Sequence, residues 1–184
     1  METMARALAT LVALSWATAL GCLPGDGAPR PAVQVSPATA ERSLFAEPWI
    51  WNDETGAPVR LDQWRGSFVV VTLVYTSCTS TCPLTIEKLL RIDKRLQTEG
   101  RSAAFVLVTL DPASDTPAEL QRFKTQHHLP AAWSLLRGGR EQTLRLADLL
   151  RVRIIDMADE VHIFHDSRVV LLDPDGRILG EVQS

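Results

Sequence analysis

Past its first 22 residues this chain has no apolar run long enough to span a bilayer, so the remainder is expected to fold as a soluble domain. An excess of one charge is missing too. Nineteen Lys and Arg stand against 22 Asp and Glu, for a formal net charge of −3. Nucleic-acid binding needs a basic face, so no nucleic-acid partner is expected. No segment repeats. Cysteine is scarce, with three in 184 residues. Hydrophobic residues are plentiful at 46%, which suits one domain with a sizeable core and argues against disorder.

The first 22 residues read separately. Arg6 precedes an apolar stretch from Ala7 to Leu20, and Gly21-Cys22 closes it. A short basic head, an apolar run of this length and small residues at its end form a secretory signal. Met4 is an alternative start that removes Glu2 and leaves a cleaner positive head. Ala19-Leu20-Gly21-Cys22 resembles a bacterial lipobox, in which the cysteine takes a diacylglycerol and becomes the mature N-terminus. Leu is commoner at the place of Ala19. Simple cleavage and an uncleaved anchor stay open beside lipidation of Cys22. All three readings place the domain outside the cytoplasm, and lipidation would hold it to a bacterial membrane on the periplasmic face. Residues 23 to 43 carry Pro24, Pro29, Pro31 and Pro37 among small residues, with no helical or strand period. That composition makes a semi-extended linker. Residues 44 to 184 are then the folded domain.

Within it, strand and helix patterns alternate. Trp49-Ile50-Trp51 and the turn residues Asn52 to Gly56 predict an N-terminal hairpin. Phe68 to Tyr75 is a continuous apolar, β-branched run, as expected of a strand buried on both faces. Ile86, Leu89, Leu90 and Leu96 recur at helical spacing, and Ala104 to Leu110 is a second buried strand. Thr116-Pro117-Ala118-Glu119 is a capping box with Pro at the first helical position. Trp133 to Leu136 predicts a short strand and Glu141 to Val152 a helix. Val169 to Leu172 and Ile178 to Val182 flank the turn Asp173-Pro174-Asp175-Gly176 as a terminal hairpin. Helical crossovers imply a mostly parallel sheet, and the last hairpin makes it mixed. The fold class is α/β and thioredoxin-like, a mixed central sheet flanked by helices with an N-terminal hairpin.

With Cys22 assigned to the signal, Cys78 and Cys82 remain. In an oxidising compartment such neighbours form a disulfide, a redox couple or a metal site. A bridge closing so small a loop removes little chain entropy, which weakens a purely structural staple. The pair lies in Cys78-Thr79-Ser80-Thr81-Cys82-Pro83, between a buried strand and the first helix. The carboxyl end of a central strand is where sites form in such folds. A helix amino end adds positive partial charge and N–H groups, so thiolate is expected to be favoured and burial to be incomplete. If the turn is helical, this spacing brings the sulfurs together to bond or to clamp one soft ion. Thioredoxin-type reductases carry two residues between their cysteines, and this chain has three.

His165 precedes the strand Val169 to Leu172, in the loop that faces the cysteines in a thioredoxin fold. Ser167 falls where oxidoreductases of that fold carry a cis-proline, which is absent. Three motifs now stand in order: Cys-x-x-x-Cys-Pro after an apolar strand, Asp111-Pro112-Ala113-Ser114-Asp115-Thr116-Pro117 after the next, and His165 eleven residues ahead of Gly176. In this order they resemble the Sco/SenC family, over roughly residues 43 to 182. The resemblance implies that Cys78, Cys82 and His165 are copper ligands. It implies copper delivery to the dinuclear copper centre of cytochrome c oxidase. The partners would be the copper-bearing oxidase subunit and a periplasmic copper donor. The donor chemistry agrees, since thiolates select Cu(I) and an added imidazole suits Cu(II) as well. Structural zinc prefers four protein ligands, and three are identified. The family's aromatics around the first cysteine are reduced here to Tyr75.

Asp111 and Asp115 sit at a strand end, where they either position a ligand from behind or serve turn and cap chemistry. His162, three residues from His165, faces the other way if the stretch is extended. His127-His128 closes a helix, where a protonated imidazole suits the dipole. Met157, Trp49, Trp51, Trp64 and Trp133 are expected to pack. The competing function is enzymatic: a thiol–disulfide oxidoreductase that uses Cys78 and Cys82 to keep oxidase or metallochaperone cysteines reduced. His165 and the missing cis-proline favour the metallochaperone.

Overall fold

The computed structural model describes residues 42–79, 81–156, 163–165 and 167–183, with backbone alone at 81, 155–156 and 163–165. The expectations for the signal, Cys22 and most of the linker, and for Met157 and His162, lie outside the described residues.

The run Val69–Val74 forms strand β3, and every one of its residues is buried. Its continuous β-branched sequence is what two covered faces require. β3 pairs in parallel with β4 (Ala104–Thr109), and β4 pairs in parallel with β5 (Ser134–Leu136). On its other side β3 meets β8 (Arg168–Leu172) antiparallel, and β8 meets β9 (Ile178–Gln183) antiparallel. The central sheet is therefore β5-β4-β3-β8-β9, mixed as the sequence predicts. Helix α1 (Thr81–Thr98) crosses from β3 to β4, and α2 (Pro117–Gln126) from β4 to β5. Helix α3 (Arg140–Leu149) follows β5.

Local chemistry sets these boundaries. Thr116 Oγ1 accepts the Glu119 N–H at 3.3 Å with Pro117 in the first turn, so the N-cap half of the box forms, while the Thr116 N–H donates to the Ser114 carbonyl at 2.9 Å rather than to Glu119. In the terminal hairpin, Asp173 Oδ1 accepts the N–H groups of Asp175 and Arg177 at 2.9 and 2.8 Å. Gly176 follows at φ 81°, and a Cβ there would collide with the Phe45 ring. The N-terminal hairpin is shorter than its aromatic run suggested: β1 is Trp51–Asn52 and β2 is Pro58–Val59. Asp53 Oδ1 organises its turn by accepting from the Thr55 and Ala57 amides. Trp51 is fully buried and Trp133 nearly so, while Trp49 and Trp64 pack at the core's edge.

Further departures from the sequence reading follow β5. Helix α3 stops at Leu149 rather than Val152, where Leu150 caps it and Arg151 turns left-handed at φ 56°. Between α3 and β8 the chain adds an unforeseen antiparallel pair, β6 (Ile154–Asp156) with β7 (Ile163–His165).

Candidate metal centre

β3 ends at Val74, and its last carbonyl accepts the N–H of Leu110 at 2.8 Å, which fixes the ends of β3 and β4 side by side. The chain then turns through Tyr75 to Cys78, where the Cys78 N–H donates to the Tyr75 carbonyl at 3.2 Å. Cys82 lies in the first turn of α1. Its backbone N–H points at the Cys78 sulfur, with N to Sγ 3.4 Å. Both residues are thiols rather than a disulfide. The four-residue spacing thus does as predicted: a free amide at the helix start addresses one sulfur, and both thiols share one buried spot.

The environment differs from the expectation of partly exposed, thiolate-prone sulfurs. Cys78 is 6% exposed and Cys82 2%. Burial pushes the Cys82 thiol up to about 12. The neighbouring Cys78 and the charge of Asp115 push the same way, against a backbone N–H contribution at Tyr75. Desolvation outweighs the helix terminus here because apolar side chains surround the sulfur. The Tyr75 phenol is buried beside the pair. Desolvation first, then a hydrogen bond with Cys78, hold its proton far above the ordinary tyrosine range.

The two aspartates separate. Asp111 Oδ1 accepts the Ser114 N–H at 3.2 Å, and its backbone carbonyl takes the Asp115 N–H at 2.9 Å, so its visible work is turn chemistry. Asp115 is 1% exposed and accepts from the Thr76 N–H at 3.1 Å, from the Thr76 hydroxyl and from the Thr109 hydroxyl. Thr76 and Thr109 were not singled out from the sequence. A hydroxyl two residues before Cys78 and another two residues before Asp111 were the signal available.

The backbone of His165 ends β7, opposite Ile154. Its side chain lies outside what the structure describes, and among the described residues no group of three His, Cys, Asp or Glu donors assembles. His127 packs tilted against the Phe123 ring, and burial lowers its pKa with His128 adding to the effect, so the expected cationic imidazole is disfavoured there.

A parallel β-α-β core extended by an antiparallel hairpin, with two buried thiols where the central strand enters its helix, defines a thioredoxin-like protein with a dithiol site. The sequence profile of the SCO1/SenC family matches residues 37–184, and the chain belongs to that family. It is 26% identical over 136 residues to a candidate copper-binding protein of Stutzerimonas stutzeri, covering 72% of this chain and 66% of that one. The chain spans roughly two thirds of the length of the curated relatives it matches. Solved structures share the fold. A SCO1/SenC family lipoprotein from Bacillus anthracis has a TM-score of 0.70 at 20% identity, over 77% of this chain and 85% of that one. Yeast Sco1 with copper bound has a TM-score of 0.67 at 21% identity, over 77% and 80%. BsSco, described as a Sco family cytochrome c oxidase assembly protein with a disulfide switch, has a TM-score of 0.65 at 22% identity, over 76% and 83%.

Proposed function

We propose that this protein is a copper metallochaperone. It holds one copper ion through Cys78, Cys82 and His165 and delivers it to the dinuclear copper centre of cytochrome c oxidase. The observation that carries the reading is the dithiol itself, with the Cys82 N–H directed at the Cys78 sulfur inside an apolar shell. Two soft sulfurs at one point fit a soft ion, and exclusion of water keeps a bound ion from competing ligands. Bound copper supplies the charge that draws off the thiol protons, which burial otherwise retains. His165, on the β-hairpin ahead of β8, is the nitrogen donor in this reading. Copper is named for the Stutzerimonas relative and bound in the yeast structure, and oxidase assembly is named for BsSco. The family lipoprotein and the Gly21-Cys22 sequence support a lipid tether on the outer face of a bacterial membrane.

The second reading is a thiol–disulfide oxidoreductase acting on the recipient's cysteines. The reduced pair permits it, while burial of both sulfurs works against attack on a protein disulfide. One experiment separates the two. The copper-loaded chain is mixed with the metal-free, already reduced copper domain of the oxidase subunit. The metallochaperone reading expects the recipient's copper spectrum to appear at the expense of the donor's. No transfer, together with rapid reduction of the oxidised recipient by the copper-free chain, would establish the oxidoreductase instead.

A further inference from the structure

Asp115 is a buried carboxylate whose partners among the described residues are all neutral: the Thr76 N–H, the Thr76 hydroxyl and the Thr109 hydroxyl. Burying a carboxylate is costly unless several donors satisfy it. Turn chemistry does not account for this one. Asp111 accepts the Ser114 N–H and Thr116 caps α2, so neither of those turns uses the Asp115 side chain. One of its donor residues lies far off in sequence and the other only six residues back. Thr76 stands two residues before Cys78, 39 positions away in sequence, and Thr109 ends β4. The carboxylate therefore pins the turn that carries Cys78 to the neighbouring strand. Its charge sits beside the pair by this geometry, bonded to the N–H and hydroxyl of a residue two places before Cys78.

We propose that Asp115 is the positioning residue of the dithiol site: it locks the Thr76–Cys78 turn against the end of β4, and its fixed negative charge favours the more highly charged state of the bound copper. The second half rests on the copper reading above. Cu(II) carries one more positive charge than Cu(I), so a nearby carboxylate attracts it by one additional Coulomb interaction. An amide of the same shape removes that preference.

The test uses the full chain and two variants. Asp115→Asn removes the charge, and Thr109→Val loosens the same cluster while keeping it. In the reduced, metal-free protein the Thr76 amide is expected to exchange with solvent as slowly as the β3 amides. In Asp115→Asn it should exchange at least tenfold faster. With copper, Asp115→Asn should lower the ratio of Cu(II) to Cu(I) affinity about tenfold, equivalent to a midpoint rise of about 59 mV for one electron. Thr109→Val should leave that ratio within about twofold. The anchor is refuted if the Thr76 amide of the unsubstituted chain exchanges as fast as that of exposed Ser77, a result available even if Asp115→Asn fails to fold. The charge effect is refuted if Asp115→Asn leaves the ratio unchanged, or if both variants shift it equally. An unsubstituted chain that binds no copper sinks the metallochaperone reading and the charge effect together, while Thr76 exchange still decides the anchor.

Discussion

At the scale of single residues the balance between burial and the helix terminus decides how the site behaves with pH. Cys82 keeps its proton to about 12 in the folded chain, against an ordinary thiol value of 9.0. A group whose folded pKa is raised stabilises the fold fully below its unfolded value. That contribution is lost as pH rises through the interval from about 9 towards 12. The reduced protein should therefore lose stability above pH 9, measured by denaturant unfolding, whereas a disulfide form should not lose this contribution. Copper binding must displace the same proton, so affinity should rise about tenfold per pH unit for each proton released between pH 6 and 8. A pH-independent affinity would mean the thiols are not ligands. His165 is tested separately. His165→Ala leaves both sulfurs, so Cu(I) binding should change little while Cu(II) binding falls steeply, read by competition titration and EPR. Equal loss of both states would remove the distinction drawn between sulfur and nitrogen donors.

At the scale of elements, those with a strong pattern were legible in the sequence. β3 and β4 were visible as unbroken β-branched and apolar runs, α2 through Thr116-Pro117, and the terminal hairpin through Asp173 and Gly176. The β6–β7 pair was not, because three residues per strand give no period to detect. The early end of α3 was hidden because a left-handed Arg151 carries no glycine signal. In the site, the cysteine spacing announced itself, whereas Thr76 and Thr109 did not, since their contact with Asp115 depends on how the strands align. Gly176 gives the element-scale prediction. Its positive φ and the Phe45 ring beneath it leave no room for a methyl group. Gly176→Ala should cost about 2–4 kcal/mol in chemical denaturation, combining backbone strain with overpacking. A loss under about 0.5 kcal/mol would show that the turn and the Phe45 contact readily rearrange.

At the scale of the whole molecule, the proposed copper delivery calls for a tether that lets the domain carrying the dithiol reach a recipient in the membrane. The Gly21-Cys22 sequence, followed by four prolines up to Pro37, suits a lipid-anchored head with reach along the membrane surface. Cys22→Ser should release the protein from the membrane fraction or stall its processing, scored by fractionation and N-terminal mass. Unchanged membrane retention with a normally cleaved N-terminus would remove lipidation. The account stands most directly on whether the pair binds copper at all. Anaerobic titration of the reduced full chain, followed by absorption and EPR, is predicted to give a one-to-one complex with sulfur-to-Cu(II) charge-transfer bands. Those bands should be lost in Cys78→Ser and in Cys82→Ser, and Cu(I) binding should vanish when the pair is oxidised to a disulfide. Copper binding that survives in the oxidised protein with undiminished affinity would contradict it.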